Sequence, residues 1–524
     1  MARSEGRLSG GQRWTLLVSC VAVALVIGSM AALYTALSDI AVETGATQSQ
    51  LTWVVDGYTL AIACLVLPAG AVGDRYGRRG VLLGGLGLFA AASAIPLFVN
   101  DPWWLIGART VAGIGAAFVM PSTLSILTGE FPVEQRHRAV GIWAGVAASG
   151  AVAGVLLSGA LLEFWSWRSI FVALTLAAAA LVIAALRVPE SREYAHPRID
   201  VLGSLTVAVA IGTLVVGLVE APHRGWTDVL VVTLFVGAAI GFAVFVILEM
   251  GREHPLLDMG LFADRAFGAA TVSLILHFLV IFGVFFLLVQ YLQLIRGYEP
   301  MTSALALTPL IVPIVVISVF APQLAARWGL RPMLAAGLAA LALGLFLASR
   351  LDLTSGYLDI VWSLLALGSG LGLCTAPSTA AVVDATPVEK HGVAAAVNDA
   401  AREVGAAIGI AIAGSVLAAG YGDRIESAAT ALPPPLRAAF EDSLAAANQA
   451  AVSAGSVAAP ALDAAKAAFV HGCAAGAFVL AVISAVSAVV VAIWAPGRQP
   501  GTRRQGHDSR AMGDTAARSE TRSV

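Results

Sequence analysis

The chain has 524 residues, 58% of them hydrophobic and 12% charged, with a formal net charge of −2 and a mean hydropathy of +0.85. A soluble domain carries about 25% charged residues, so there are too few charges here to cover a water-facing surface. That excludes a soluble enzyme or binding module, and the near-neutral balance gives no electrostatic basis for nucleic acid. The chain reads as an all-α integral membrane protein, because open sheets cannot satisfy their backbone groups in lipid.

Residues 1–13 are polar and basic. The apolar run behind them is too long for a signal-peptide core and has no clear cleavage site, so it reads as a retained first span. Crossing the hydrocarbon takes about 20 mostly apolar residues. The qualifying stretches lie near 14–37, 51–72, 80–98, 104–127, 138–161, 168–187, 200–219, 229–249, 268–293, 303–326, 332–349, 358–383, 393–419 and 466–494, which is 14 spans.

In span 1, Tyr34 is a candidate lining residue for a flat cation. In span 2, Asp56 lies about 7–8 Å below one face at about 1.5 Å per residue. An ionisable group at membrane depth is a functional hypothesis by default. Spans 2 and 3 are joined by the run Gly70, Gly73, Asp74, Arg75, Gly77, Arg78, Arg79. Its glycines permit close approach, and its charges can answer one another or a facing helix end. Arg109 in span 4 lies at a depth similar to Asp56 and has two candidate partners, Asp56 and a polar group of span 1. Span 5 carries Gly150, Gly154 and Gly159, a spacing that lets helices pack closely.

Spans 7 and 8, with the link 188–199, read as an insertion. Span 9 carries Phe285 and Phe286, candidate aromatic lining, and His277, read as structural, as is His471 in span 14. Gln290, Tyr291 and Gln293 are hydrogen-bonding candidates near its end. After span 10, residues 322–331 repeat the arginine, aromatic, glycine and final arginine of 70–79 at the same spacing, with Ala326 in place of Asp74. Two matching loops imply two homologous halves related by an axis along the membrane normal. Span 13 carries Asp399, Arg402 and Glu403 within an arc of roughly 100°. Asp399 and Arg402 form an i,i+3 pair, which would leave Glu403 with charge to share. Residues 420–465 read as short amphipathic helices, and 495–524 as a disordered polar tail.

The expected division is a tail at 1–13, a six-helix half at 14–187, a linker with two inserted helices at 188–249, a second six-helix half at 250–494 with the loop 420–465, and a tail at 495–524. With this count, 22 of the 31 basic residues fall on the side of both termini, 7 on the other, and Arg109 and Arg402 inside spans. The positive-inside rule then places both termini in the cytoplasm.

The loop 70–79 resembles the loop signature of the major facilitator superfamily. Further likenesses are the stretch 51–60, the run from Arg109 to Gly115, the trio Tyr291, Leu292 and Gln293 with Gly297, Tyr298 and Pro300, and the set Asn398, Asp399, Arg402, Glu403 and Gly405. From about 14 to 494 the chain is similar to the family's fourteen-helix drug:proton antiporters. There are two departures. Ser29 stands where an acid is frequent in span 1, with Ser38 at a proline position. Val155 and Ser158 replace a proline and a glycine of the span 5 motif.

The resemblance implies a bundle of two six-helix halves plus two helices, in the cell membrane. It implies export of a hydrophobic, cationic or amphiphilic small molecule in exchange for protons. Asp56, Arg109, Asp399, Arg402 and Glu403 would couple protons or bind substrate, and 70–79 would latch the cytoplasmic side. The partners expected are substrate, protons and the lipid bilayer, with a monomer as the working unit. No P-loop points to ATP, no Cys or His spacing to a metal, and no cluster to enzymatic chemistry or a cofactor. The alternatives are a dedicated exporter of one self-made antibiotic or metabolite, a proton-coupled uptake carrier, and a non-transporting membrane sensor.

Overall fold

The computed structural model describes residues 8–46, 48–190, 200–252, 255–387, 390–430, 432–454 and 458–497. The first seven residues, most of the link 188–199 and the tail beyond 497 lie outside the described residues, and with them the expected disordered tail. The described chain has 14 helices long and apolar enough to cross a membrane. They are α1 (Gly10–Thr35), α2 (Gln50–Tyr76), α3 (Arg78–Leu97), α4 (Pro102–Glu130), α5 (Gln135–Phe164), α6 (Arg168–Ala185), α7 (Val201–Pro222), α8 (Val229–Met250), α9 (Arg265–Ile295), α10 (Met301–Ala321), α11 (Leu330–Ala348), α12 (Tyr357–Asp384), α13 (His391–Ala429) and α14 (Ala459–Trp494).

Among the described residues, five of the spanning helices begin at a capping side chain. Ser9, Asp101, Asp200, Asp228 and Asp264 accept backbone N–H groups at the starts of α1, α4, α7, α8 and α9, donors that a helix cannot satisfy internally. Helix α13 continues ten residues past the expected end at 419. Its outer segment, residues 420–429, is mostly polar but keeps a buried stripe at Tyr421, Ile425 and Ala429 with helical spacing. Two short helices, Pro434–Asp442 and Leu444–Ala454, then return the chain to α14. Phe440 is buried there, and its carbonyl accepts the Tyr421 hydroxyl at 2.8 Å.

The packing repeats with an offset of eight helices. In the first half α1 packs on α5, α2 on α4, and α3 on α4 and α6; in the second α9 packs on α13, α10 on α12, and α11 on α12 and α14. Helices α7 and α8 pack on each other, and α7 leans on α2 and α13. The fold is therefore two six-helix halves plus two inserted helices.

Glycines make these crossings close enough. A Cβ on Gly154 would sit 2.2 Å from the Gly28 carbonyl oxygen, and one on Gly409 1.9 Å from that of Leu279. The same device joins α2 to α4 at Gly113 and α10 to α12 at Gly368. Gly77 and Gly329, at equivalent turns, have φ of 103° and 97°, a region an L side chain rarely adopts. The halves meet through α5 against α10 and α2 against α13. An apolar cluster spans this seam, with Leu127, Phe131 and Trp143 from one half and Ala321, Val383 and Ala395 from the other.

Candidate functional site

The seam between the halves is closed at the end carrying the termini. Asp74 accepts the backbone N–H of Gly392 at 3.0 Å and of Val393 at 3.2 Å, where α13 begins. A carboxylate at a helix N-terminus meets unsatisfied donors and the positive end of the dipole. Arg78 holds that carboxylate with two hydrogen bonds, at 2.9 and 3.1 Å, and donates to the Ser125 carbonyl. Gly70 is what lets α2 come so near. A Cβ there would be 2.4 Å from the Gly392 carbonyl oxygen, and one on Gly392 would collide with Asp74.

The rest of the 70–79 run faces elsewhere. Arg79 donates to the Val188 carbonyl at 3.2 Å and pairs with Glu190 at 3.4 Å. Gly77 leaves room for Glu190, and Arg75 lies 5.4 Å over the Tyr76 ring. Gly73 has only ordinary space beside it, 3.8 Å from the Ser122 hydroxyl. In the second half Arg331 repeats the role of Arg79, donating to the Ala495 carbonyl at 2.6 Å past the end of α14. A second cross-half contact joins His137 to Asp384 at 3.7 Å.

Arg109 is 1% exposed. Of its two candidate partners the structure gives it span 1: Nη1 donates to Ser29 Oγ at 2.9 Å and Nη2 to the Ser29 carbonyl at 3.3 Å. Its Nε donates to the Val54 carbonyl, and the guanidinium lies 4.1 Å over the Tyr58 ring. Tyr58 is itself fixed by its hydroxyl, which donates to the Val26 carbonyl at 2.8 Å.

Asp56 is therefore not paired with Arg109. Among the described residues its carboxylate has no hydrogen-bond or ion partner, and it lies within electrostatic reach of Glu220 of α7 and of Tyr34. Tyr34 is 55% exposed. Phe285 and Phe286 are half-buried against the second half, Phe286 beside Gly414 of α13.

On α13 the expected pair is present, with Arg402 Nη1 3.7 Å from Asp399, and Arg402 also has a second, closer acid, its Nη2 binding Glu403 Oε1 at 2.9 Å. Asp399 is 0% exposed; Asn398 donates to its Oδ1 at 3.3 Å, and its Oδ2 has no partner. Arg402 reaches across the seam to Met120 Sδ at 3.2 Å. The network is thus two acids sharing one cation at membrane depth, Asp399 and Arg402 buried and Glu403 partly so.

Span 5 divides its glycines between two neighbours. Gly150 and Gly154 face α1, while Gly159 faces Met301 at the start of α10. His277 is satisfied by the Ser273 carbonyl at 2.6 Å and Thr375 Oγ1 at 3.2 Å. Tyr291 is buried with its hydroxyl donating to the Asp352 carbonyl at 2.6 Å, so it is not available as a hydrogen-bonding candidate. Sequence reasoning missed Tyr58, Met120 and Glu220. Only Glu220 left a signal, an acid two residues before the end of α7.

A family model described as Major Facilitator Superfamily matches residues 19–410. The multidrug resistance protein Stp of Mycobacterium tuberculosis is 34% identical over 429 residues, 81% of this chain and 80% of that protein. The multidrug efflux pump LfrA of Mycolicibacterium smegmatis is 32% identical over 482 residues, 91% and 95% of the two chains. Among solved structures, the human organic anion transporter MFSD10 superposes with a TM-score of 0.59 at 13% identity, over 92% of this chain and 99% of that one. This chain belongs to the major facilitator superfamily.

Proposed function

We propose that this superfamily member exports hydrophobic, cationic or amphiphilic drug-like compounds across the cytoplasmic membrane in exchange for inward protons. The observation that carries the reading is the network of Asp399, Arg402 and Glu403 at the seam between the halves, touching Met120 of the opposite half. The names of the efflux and resistance relatives support drug-like cargo. The 22-to-7 distribution of basic residues supports cytoplasmic termini. The working division is 14–187 and 250–494 as the two halves, 188–249 as the insertion, and a monomer as the unit.

In this mechanism the halves rock about a central cavity. A proton on Asp56, Asp399 or Glu403 changes which arrangement is favoured, since without a differential effect on the two states nothing is coupled. The cationic substrate and the proton compete for the same acids, and Arg109 anchors α1 to α2 and α4 while they do. Asp74 holds the cytoplasmic end shut in the outward-facing state. No catalytic step is assigned.

The test is dye uptake into inside-out vesicles with an acidic lumen, following a monovalent cationic dye and lumenal pH together. Wild type is expected to accumulate dye with dye-dependent proton release. Asp56→Asn and Glu403→Gln are each expected to lower that coupled flux at least about tenfold, the loss of one essential charge interaction worth about 1.4 kcal/mol. Absence of proton-linked flux across a broad dye panel would overturn the exchange reading. Intact coupling in both variants would leave export standing and remove these acids from it.

A further inference from the structure

We propose that the groove between α11 and α12, at the end away from the termini, is a binding site for one phospholipid with an amine-bearing headgroup. The groove is a cavity of about 470 Å³, within the range of small-molecule sites. Its walls are Leu343 and Leu347 of α11 and Trp362 and Leu365 of α12, and its mouth carries Arg350 and Asp359. From Asp359 to Ser369 at its base it runs ten residues along α12, about 15 Å. That is about half of a hydrocarbon core of about 30 Å, the depth of one leaflet.

The charges at the mouth fit the head of such a lipid. Arg350 is exposed, and among the described residues its guanidinium has no ion pair or hydrogen bond. A guanidinium is matched to phosphate by its forked donors. Asp359 Oδ2 accepts the Gly356 N–H at 2.8 Å, which leaves Oδ1 for an ammonium group. Phosphate on Arg350 and ammonium on Asp359 give a zwitterionic head both partners, with an acyl chain along Leu343, Leu347 and the exposed Trp362.

Arg350 is not needed to hold its own turn. That turn is held from the end of α9, where the Tyr291 hydroxyl donates to the Asp352 carbonyl at 2.6 Å, and just beyond it, where Arg296 donates to the Ser355 carbonyl at 2.9 Å.

The experiment is native mass spectrometry of the purified full chain, titrated separately with phosphatidylethanolamine, phosphatidylcholine and phosphatidylglycerol of the same acyl chains. Phosphatidylethanolamine is expected to be retained about fivefold more than phosphatidylglycerol, about 1 kcal/mol for one exposed ion pair. Arg350→Gln should lower retention of all three. Asp359→Asn should lower the ethanolamine lipid most, the choline lipid, which has the charge but no N–H donors, less, and phosphatidylglycerol not at all. Trp362→Ala should weaken all three without changing their order, and Arg437→Gln, an exposed arginine paired with Glu441, should change none. Thermal unfolding of each variant in the same detergent identifies any that fail to fold. Equal retention of the three lipids by wild type, or unchanged retention in folded Arg350→Gln, would overturn the proposal.

Discussion

Arg109 shows how a buried cation is tolerated at membrane depth without an acid. Three carbonyl or hydroxyl acceptors and the face of Tyr58 replace its water, and the planar fork reaches them together. A lysine has one donor centre and cannot. Arg109→Lys is expected to reduce transport at least about tenfold while Arg109→Ala also lowers thermal stability, since it leaves Ser29 and Val54 acceptors unpaired at about 1–3 kcal/mol. Detergent melting curves beside vesicle flux separate the two effects. At the opposite end, Arg168 and then Trp167 hydrogen-bond Glu43 and hold its carboxyl below the usual carboxylate range. A lowered acid contributes stability that is present above the unfolded-state value of about 4.3 and lost as pH falls through the folded value. The melting advantage of wild type over Glu43→Gln should therefore be full at pH 7 and vanish in strong acid. The charged candidates were legible because charge inside an apolar run is conspicuous. Tyr58 and Met120 were not, since an aromatic or a methionine in a membrane helix has no visible reason to be more than packing.

At the scale of elements, the helices owe their contacts to positions where nothing protrudes. Gly409→Val is expected to unfold or misassemble the second half, because its side chain would occupy the space of the Leu279 backbone and cannot be absorbed by a rotamer change. Gly73→Ala should be near neutral, as only ordinary contact awaits it. Thermal stability of the two purified variants checks the pair. Hydropathy alone located every span, and most ends to within a few residues, because lipid leaves a chain few choices; α14 begins at Ala459, seven residues before the expected 466. It failed at the outer end of α13, where polar residues such as Asp423, Arg424 and Glu426 interrupt the apolar run while the helix continues. The Asp399 and Arg402 pair is present at 3.7 Å, but the closer pair of Arg402 with Glu403 at 2.9 Å was not foreseen. Spacing along a helix tells which side chains are neighbours but not which of two acids a shared arginine turns toward.

For the whole molecule, the governing quantity is the balance between arrangements of the two halves. In the proposed mechanism the latch at Asp74 contributes to one of them only. Hydrogen bonds to a charged group are worth about 1.5–3 kcal/mol each, so Asp74→Asn should raise the population open at the cytoplasmic end by about tenfold or more. Spin labels at Tyr76 and Lys390, read by pulsed distance measurements, would show the longer distance gain at the expense of the shorter. An unchanged distribution would mean that the apolar seam around Trp143 sets the balance alone. The twofold repeat was legible from the matching loops at 70–79 and 322–331. That only the first copy keeps its acid was legible too, but its partner was not, since no side chain on α13 announces it.

A contact made to main chain also changes differently over generations. Asp74 is met by main-chain N–H groups of residues 392 and 393, which every amino acid except proline supplies. Residue 393 is then restricted only by its buried apolar packing, and residue 392 only in size. No substitution on α13 can compensate for losing the acid, because there is no side chain there to alter. The joint between the halves should accordingly leave no trace of paired change among descendants of this sequence, only one immovable carboxylate opposite one immovable glycine.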